Sequence, residues 1–170
     1  MTTLRNKQAP LKARYASDPE SAKLTITVRS STTGDDPTRV MIQTENGAHE
    51  WEAGAHPMAG GEDDLACSGD LLLASLAACQ EITLRMVAAA MGITLEKVEL
   101  TVEGDLDFRG TMGVDPDAPV GFTAIRTNIA ITADAPDDRL ERLAQRAERY
   151  CVVASTLRQP PTITTTFEKT

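Results

Sequence analysis

The feature that most constrains the fold of this 170-residue chain is a long apolar segment, residues 71–91. Its apolar side chains recur on nearly every face of the helix that the segment predicts, with Ser68 as the expected N-cap and Gly92 as the C-terminal stop. A helix that is apolar all round is buried in the centre of a fold or in an oligomer interface. The segment lacks the roughly 18 uninterrupted apolar residues of a membrane span, so we expect no membrane partner.

Alternating polar and apolar residues predict strands on both sides of this helix. The predicted strands are residues 22–29, 39–44, 49–51, 97–108, 120–132 and 162–167, with a tight turn at residues 45–47. A second helix is predicted from residue 135 to Cys151, where a proline and two aspartates suit its first turn. This order predicts an α+β fold, in its simplest form one antiparallel sheet with helices on one face. Residues 1–21 are interpreted as an N-terminal arm and residues 22–170 as a single domain.

Charge and composition exclude several classes of partner. The formal net charge of −8 argues against nucleic acid and against anionic membranes, since both require a basic surface. The charged N-terminus is not followed by an apolar run, so a secretory signal is not predicted and the cytoplasm is the expected compartment.

Three cysteines are the first candidates for chemistry: Cys67, Cys79 and Cys151. An odd number without a short-spaced pair, in a reducing compartment, indicates free, reactive or transiently bonded thiols. Cys79 lies within the apolar helix, where it is either a small packing residue or a reactive thiolate. Burial raises the pKa of a thiol, so a reactive Cys79 needs a neighbouring cation, and arginine suits a desolvated site best.

Cys67 and His56 are weaker candidates. Cys67 lies at the predicted helix start, beside unpaired N–H groups that favour a thiolate. It lies about 18 Å along the helix from Cys79, so an intramolecular disulfide to Cys79 would have to come from Cys151. His56 lies in a glycine-rich loop, either as a general base or as a simple loop residue. No metal-ligand spacing connects a histidine with a cysteine, so no metal site is predicted.

Two segments of the sequence resemble the OsmC/Ohr family of osmotically inducible and organic-hydroperoxide-resistance proteins. They are CSGDLLLASLAAC at residues 67–79 and ERYCVV at residues 148–153, supported by residues 107–115 and 119–122. The likeness spans about residues 22–168. It implies an OsmC-like fold in which antiparallel sheets wrap around long buried central helices of an intertwined homodimer.

The resemblance also implies a thiol peroxidase that uses no bound cofactor. Cys79 corresponds to the peroxidatic thiol and Cys151 to the resolving thiol, while an arginine from the N-terminal strands, Arg29 or Arg39, would hold the thiolate. The implied substrate is an organic hydroperoxide, and the implied reductant is an external dithiol such as a dihydrolipoyl protein.

One position departs from the family pattern. Active members carry a glutamate ten residues before the peroxidatic cysteine, where this chain has Gly69, followed by Asp70. The departure suggests a divergent branch of the family in which Cys67 and His56 supply some of the polar contacts that the glutamate would make. The alternative function is a non-catalytic protein on the same scaffold, either a redox sensor or a binder of a small apolar ligand at the dimer interface.

Overall fold

The computed structural model describes residues 3–169 and contains helices and antiparallel strands. The helices are α1 (Leu4–Ser17), α2 (Ser68–Met91), α3 (Phe108–Thr111), α4 (Asp137–Tyr150) and α5 (Val152–Arg158), with short 3-10 turns at Pro19–Ala22 and Pro57–Ala59. The strands are β1 (Val28–Thr32), β2 (Arg39–Thr44), β3 (Glu50–Gly54), β4 (Leu95–Asp105) and β5 (Ala124–Ala133).

These elements fall into two compact units, and α2, β4 and β5 each contribute residues to both. The first unit comprises the chain up to Ala74 together with Val102–Asn128, and the second comprises Ser75–Thr101 and the chain from Ile129 onward. In the first unit, β1, β2 and β3 form an antiparallel sheet with β2 in the centre. The second sheet of the chain consists of β4 and β5.

The core of the second unit lies where α2 meets α4. Its buried residues are Leu84, Ala88, Ile93, Leu143 and Ala147, and Leu84 and Leu143 have at most 1% of their surface exposed. Gly92 ends α2 with a φ of 66°, which favours glycine, and the Ile93 N–H donates to the Ala88 carbonyl at 2.9 Å. This is a Schellman cap, and it confirms the predicted end of the helix.

By length and composition, the helix α2 is long and apolar enough to cross a membrane. Within the chain, 17% of its apolar 18-residue stretch is buried. The central helix of a water-soluble fold meets the same criterion. Only Leu76, Leu84 and Ala88 of α2 are buried within the chain, so the expected all-round burial is absent from a single copy.

Two predicted strands are wrong. Residues 23–27 are not a strand, and β1 begins only at Val28. Residues 162–167 carry no secondary structure, and the side chain of Phe167 is 97% exposed. The first segment alternates and the second is rich in β-branched residues, but a strand also needs a hydrogen-bonding neighbour, and none pairs with them along a ladder within residues 3–169.

Several other boundaries also differ from the sequence prediction. The expected single sheet is two sheets, and the expected arm contains the 14-residue helix α1, none of whose residues is buried. Phe108 begins the short helix α3 instead of ending β4, because the Asp107 side chain accepts a hydrogen bond from the Arg109 N–H. The second predicted helix ends at Tyr150, and Cys151 separates it from α5.

Candidate functional site

The second unit brings the thiols of Cys79 and Cys151 together. Cys79 lies on α2 and is partly buried, and Cys151 is fully buried between α4 and α5. The backbone of Cys151 is extended, with φ −74° and ψ 110°, which ends α4 and lets the chain start a new helix. The Cys151 Sγ accepts a hydrogen bond from the Ala154 N–H at 3.5 Å, so the thiol itself caps α5.

Hydrogen bonds at this site lower the pKa of Cys79. Burial raises the pKa of the thiol, but the Val153 N–H, the Cys151 thiol, the Val152 N–H and the Thr83 hydroxyl together outweigh burial. Each of these groups lies close enough to act as a donor towards the Cys79 sulfur, and a donor stabilises the thiolate more than the neutral thiol. Cys79 is therefore the more acidic member of the pair.

Cys151 has the opposite tendency. Burial raises the pKa of Cys151 first, and its hydrogen bond to the neighbouring Cys79 raises it further, against the lowering effect of the Ala154 N–H. Both pKa shifts fit an arrangement in which a Cys79 thiolate accepts a hydrogen bond from the Cys151 S–H. One sulfur is thus prepared as a nucleophile, and the other keeps its proton.

The helix α5 supplies the backbone donors, and the sequence analysis missed it. Val152 and Val153 are its first two residues, and the N–H groups at a helix start have no acceptor within the helix. Two adjacent β-branched residues after a helix disfavour a further helical turn, which hid α5 in the sequence. Local signals for it were Arg158, a basic residue suited to a last helical turn, and Pro160 shortly after the helix end.

The candidate arginines both lie in the first unit. Arg39 forms ion pairs with Asp36, Glu62 and Asp64, the last at 2.6 Å. The hydrogen bond to Asp64 raises the pKa of Arg39 and holds its charge. Arg29 lies 3.7 Å from Glu45 on an exposed surface, so its guanidinium is less firmly engaged. The predicted role of either arginine beside Cys79 stays a prediction.

Cys67 caps α2 in place of the predicted Ser68. The Cys67 N–H donates to Asp70 Oδ2 at 3.0 Å, and the Asp70 N–H approaches the Cys67 Sγ at 3.5 Å. This reciprocal pair has the geometry of a capping box, with a sulfur replacing the usual hydroxyl. Ser68 is the first helical residue and was wrongly predicted as the cap. Cys67 is buried, with 9% of its surface exposed.

His56 lies beside Cys67 in the wall of a cavity of about 350 Å³ in the first unit. Its Nδ1 accepts a hydrogen bond from the Met58 N–H at 3.1 Å, and its ring centre lies 5.0 Å from that of Phe108. Cys67 and His56 therefore both line one cavity of the first unit. Within the described residues 3–169, no group of three or more His, Cys, Asp or Glu side chains is placed to hold a metal ion.

The fold and the thiol pair define a class of α+β protein with two cysteines that meet at the start of a short helix. The family model of OsmC-like proteins matches residues 61–166, more than half of the chain. The chain therefore belongs to the OsmC-like family, which confirms the resemblance seen in the sequence. No curated protein matches the sequence.

Solved structures agree with this family membership. The OsmC-like protein of Mycoplasma pneumoniae aligns with a TM-score of 0.67 at 17% identity, covering 81% of this chain and 90% of that one. An organic hydroperoxide resistance protein OsmC of Legionella pneumophila aligns with a TM-score of 0.59 at 22% identity, over 80% and 90% of the two chains. The organic hydroperoxide resistance protein OhrB of Bacillus subtilis gives 0.52 at 20%, over 81% and 93%. These likenesses confirm the predicted OsmC-like fold.

Proposed function

We propose that this protein is a thiol-dependent peroxidase that reduces organic hydroperoxides through Cys79 and Cys151. The observation that carries the proposal is the nearness of the two thiols, which accompanies a lowered pKa at Cys79 and a raised pKa at Cys151. A thiolate is the nucleophilic form of cysteine, and a neighbouring thiol can form a disulfide with its oxidised product. The organic hydroperoxide resistance proteins among the structural neighbours support the substrate class.

The first step of the proposed reaction oxidises Cys79. Its thiolate attacks the outer oxygen of R–O–O–H, an S–O bond forms, and the O–O bond breaks. The alkoxide that leaves takes up a proton from the site and departs as the alcohol. Cys79 is then a sulfenic acid, and the hydroperoxide has been reduced by two electrons.

The second step forms the disulfide. The Cys151 sulfur attacks the sulfur of the Cys79 sulfenic acid, an S–S bond forms, and hydroxide leaves with the Cys151 proton as water. The two neighbouring sulfurs must approach to about 2.05 Å to form this bond. An external dithiol, such as a dihydrolipoyl protein, then reduces the disulfide by thiol–disulfide exchange and is itself oxidised.

The proposal includes a homodimer in the cytoplasm and a cation beside the bound hydroperoxide. Arg29 and Arg39 remain the candidates for that cation. The weaker pairing of Arg29 leaves its guanidinium freer to contact a ligand, since its carboxylate partner lies at 3.7 Å. The carboxylates around Arg39 already use much of its donor capacity.

Turnover of cumene hydroperoxide with dihydrolipoamide as reductant tests the proposal. We expect catalytic consumption by the wild type and by Cys67→Ser, and none by Cys79→Ser. Cys151→Ser should consume about one equivalent and leave a Cys79 sulfenic acid that dimedone labels. Equally slow consumption by the wild type and Cys79→Ser would refute the peroxidase function.

A further inference from the structure

The C-terminal half of α4 and the end of α5 enclose a polar cavity in the second unit. It has a volume of about 360 Å³, which lies at the small end of the range for ligand sites. Every residue of its lining is polar and belongs to the second unit: Gln145, Glu148 and Arg149 on α4, Ser155 and Arg158 on α5, and Gln159 directly after α5. Neither thiol of the redox pair lines this cavity, so the peroxidase proposal leaves it without a role.

The extended residue Cys151 creates the corner in which the cavity lies. Its φ of −74° and ψ of 110° end α4 and let the chain start a new helix, α5. From the last turn of α5, Arg158 forms an ion pair with Glu148 of α4, across a separation of 10 residues. Both side chains are more than half exposed, so the pair contributes little to stability. It nevertheless joins the two helices, and the polar side chains of both helices therefore face one concave space.

Arg149 is the cation that this lining leaves unpaired. The carboxylate of Glu148 is held by Arg158, and Arg149 forms no ion pair with any carboxylate of residues 3–169. The guanidinium carbon of Arg149 lies 5.9 Å from the centre of the Tyr150 ring, which is within the range of a cation–π contact, and its N–H donors stay available to a ligand. Two arginines and one glutamate give the lining a single net positive charge. The cavity therefore favours an anionic ligand with one negative charge.

The other side chains of the lining suit a carboxylate better than a phosphate. Gln145, Ser155 and Gln159 carry amide and hydroxyl donors that make no side-chain hydrogen bond with another group of residues 3–169. A planar guanidinium donates two parallel hydrogen bonds to a carboxylate, and amides and hydroxyls donate to its remaining lone pairs. The carboxylate of Glu148 lies in the same lining and would repel the second negative charge of a phosphate dianion.

We propose that the cavity between α4 and α5 binds a small polar monocarboxylate, whose carboxylate accepts two hydrogen bonds from Arg149. The amides of Gln145 and Gln159 and the hydroxyl of Ser155 bind the polar groups of the rest of the molecule. A lining that is polar throughout gives an alkyl chain nothing to pack against. The ligand therefore differs in class from an organic hydroperoxide with an apolar chain, and its binding goes beyond the proposed peroxidase reaction.

A pair of small amides that differ in charge tests the proposal. N-acetylglycine carries one carboxylate and one amide, and N-acetylglycinamide has nearly the same shape without the charge. Each compound is titrated into the reduced, isotope-labelled protein, and heteronuclear NMR follows the side-chain amide signals of Gln145 and Gln159. We expect N-acetylglycine to shift these signals with a dissociation constant of about 1–10 mM, and N-acetylglycinamide to leave them unchanged. The titration contains no peroxide and no reductant turnover, so its result is separate from the outcome of the peroxidase test.

Two arginine variants of α4 locate the bound carboxylate. Arg149→Gln removes the charge and the paired donors from the lining, and should weaken binding at least about tenfold. The matched control Arg146→Gln removes the same charge from the same helix but outside the lining, and should change the affinity less than about twofold because solvent and salt screen it. Circular dichroism confirms that both variants are folded. The proposal is overturned if the wild type shows no saturable shift, if the two variants bind equally, if N-acetylglycinamide binds as well as N-acetylglycine, or if inorganic phosphate binds more tightly.

Discussion

The backbone donors to Cys79 can be tested by one substitution, Val152→Pro. Val152 is the first residue of α5, where proline is favoured and where the N–H has no acceptor within the helix. The preceding Cys151 is already extended, as a residue before proline must be, and the Val152 side chain is 71% exposed. The substitution therefore removes one donor to the Cys79 sulfur and leaves the helix in place.

The expected change follows from the value of one hydrogen bond to a charged acceptor. Such bonds contribute about 1.5–3 kcal/mol, and for the weaker sulfur acceptor we take about 1 kcal/mol, or roughly a fivefold smaller thiolate fraction below the pKa. Loss of the donor raises the pKa of Cys79, so the rate profile moves to higher pH. A more basic thiolate is also more nucleophilic, with a Brønsted coefficient of about 0.4–0.5, which gives back about twofold in rate.

These two effects predict that the rate profiles of the variant and the wild type cross. At low pH the variant should alkylate Cys79 about two- to threefold more slowly with iodoacetamide, and at high pH about twofold faster. Val152→Ala, which keeps the N–H, should follow the wild-type profile at every pH. The rates are measured by mass mapping of the Cys79 peptide from pH 5 to 10, a range chosen to bracket about pH 8.5. Superimposed profiles for Val152→Pro and Val152→Ala would show that this N–H does not stabilise the thiolate.

Two further substitutions test the packing around each site. Leu143→Ala removes a fully buried core side chain and should lower the free energy of unfolding in urea denaturation by about 2–5 kcal/mol. Leu11→Ala, on the unburied helix α1, should change the free energy of unfolding by less than about 0.5 kcal/mol. Similar losses from the two leucines would contradict the described core. Gly104→Ala should lower the free energy of unfolding by about 1–3 kcal/mol, because the new Cβ would meet the Phe122 ring at 2.4 Å. Gly121→Ala, whose Cβ would have nothing within 4 Å, should change it little. The same denaturation curves measure both variants, and equal stabilities would contradict this packing.

Local sequence patterns predicted the elements that carry their own boundary signals. The predicted strand 39–44 coincides with β2, and the helix predicted to end before Gly92 does so through a Schellman cap. The start of α2 was predicted less well, because Cys67 is not a usual capping residue. Residues 23–27 alternate and residues 162–167 are rich in β-branched residues, but neither has a neighbour, and a neighbour is a tertiary property that a pattern in one segment does not contain.

The candidate site was only partly accessible to sequence reasoning. Cys79 and Cys151 were singled out from their helical placement and a family resemblance, and the structure makes the two thiols neighbours. The acidity of Cys79 was expected to require a cation because burial raises the pKa of a thiol. The backbone donors come from the start of a different helix, α5, which depends on how the second unit folds. Gly69 was recognised as a departure from the family, but the cavity beside it follows from the positions of Phe122 and Cys67.

The strand-like segments without a partner bear on the oligomeric state. Leu24 and Ile26, two residues apart, are each 82% exposed, and Ile163 and Phe167, four residues apart, are 87% and 97% exposed, so each pair would share one face of a strand. Together with the exposed residues of α2, they leave an apolar surface that a monomer in water would rarely present. A second copy of this chain, related by symmetry, offers both an unpaired segment and a matching apolar face. We therefore predict a homodimer in which the C-terminal segment adds to a sheet of the other copy.

A pair of aspartate substitutions on opposite faces of that segment tests the prediction. If the segment forms a strand in the dimer, Ile163 faces the apolar side and the adjacent Thr164 faces the other. Light scattering after size exclusion should give the wild type twice the 18.3 kDa mass of one chain. Ile163→Asp buries a charge at the interface and should shift the population towards monomer, while Thr164→Asp adds the same charge and should leave the dimer intact. A monomeric wild type, or equal behaviour of the two variants, would mean that these side chains stay in solvent and that the exposed alternation has no partner in a second copy.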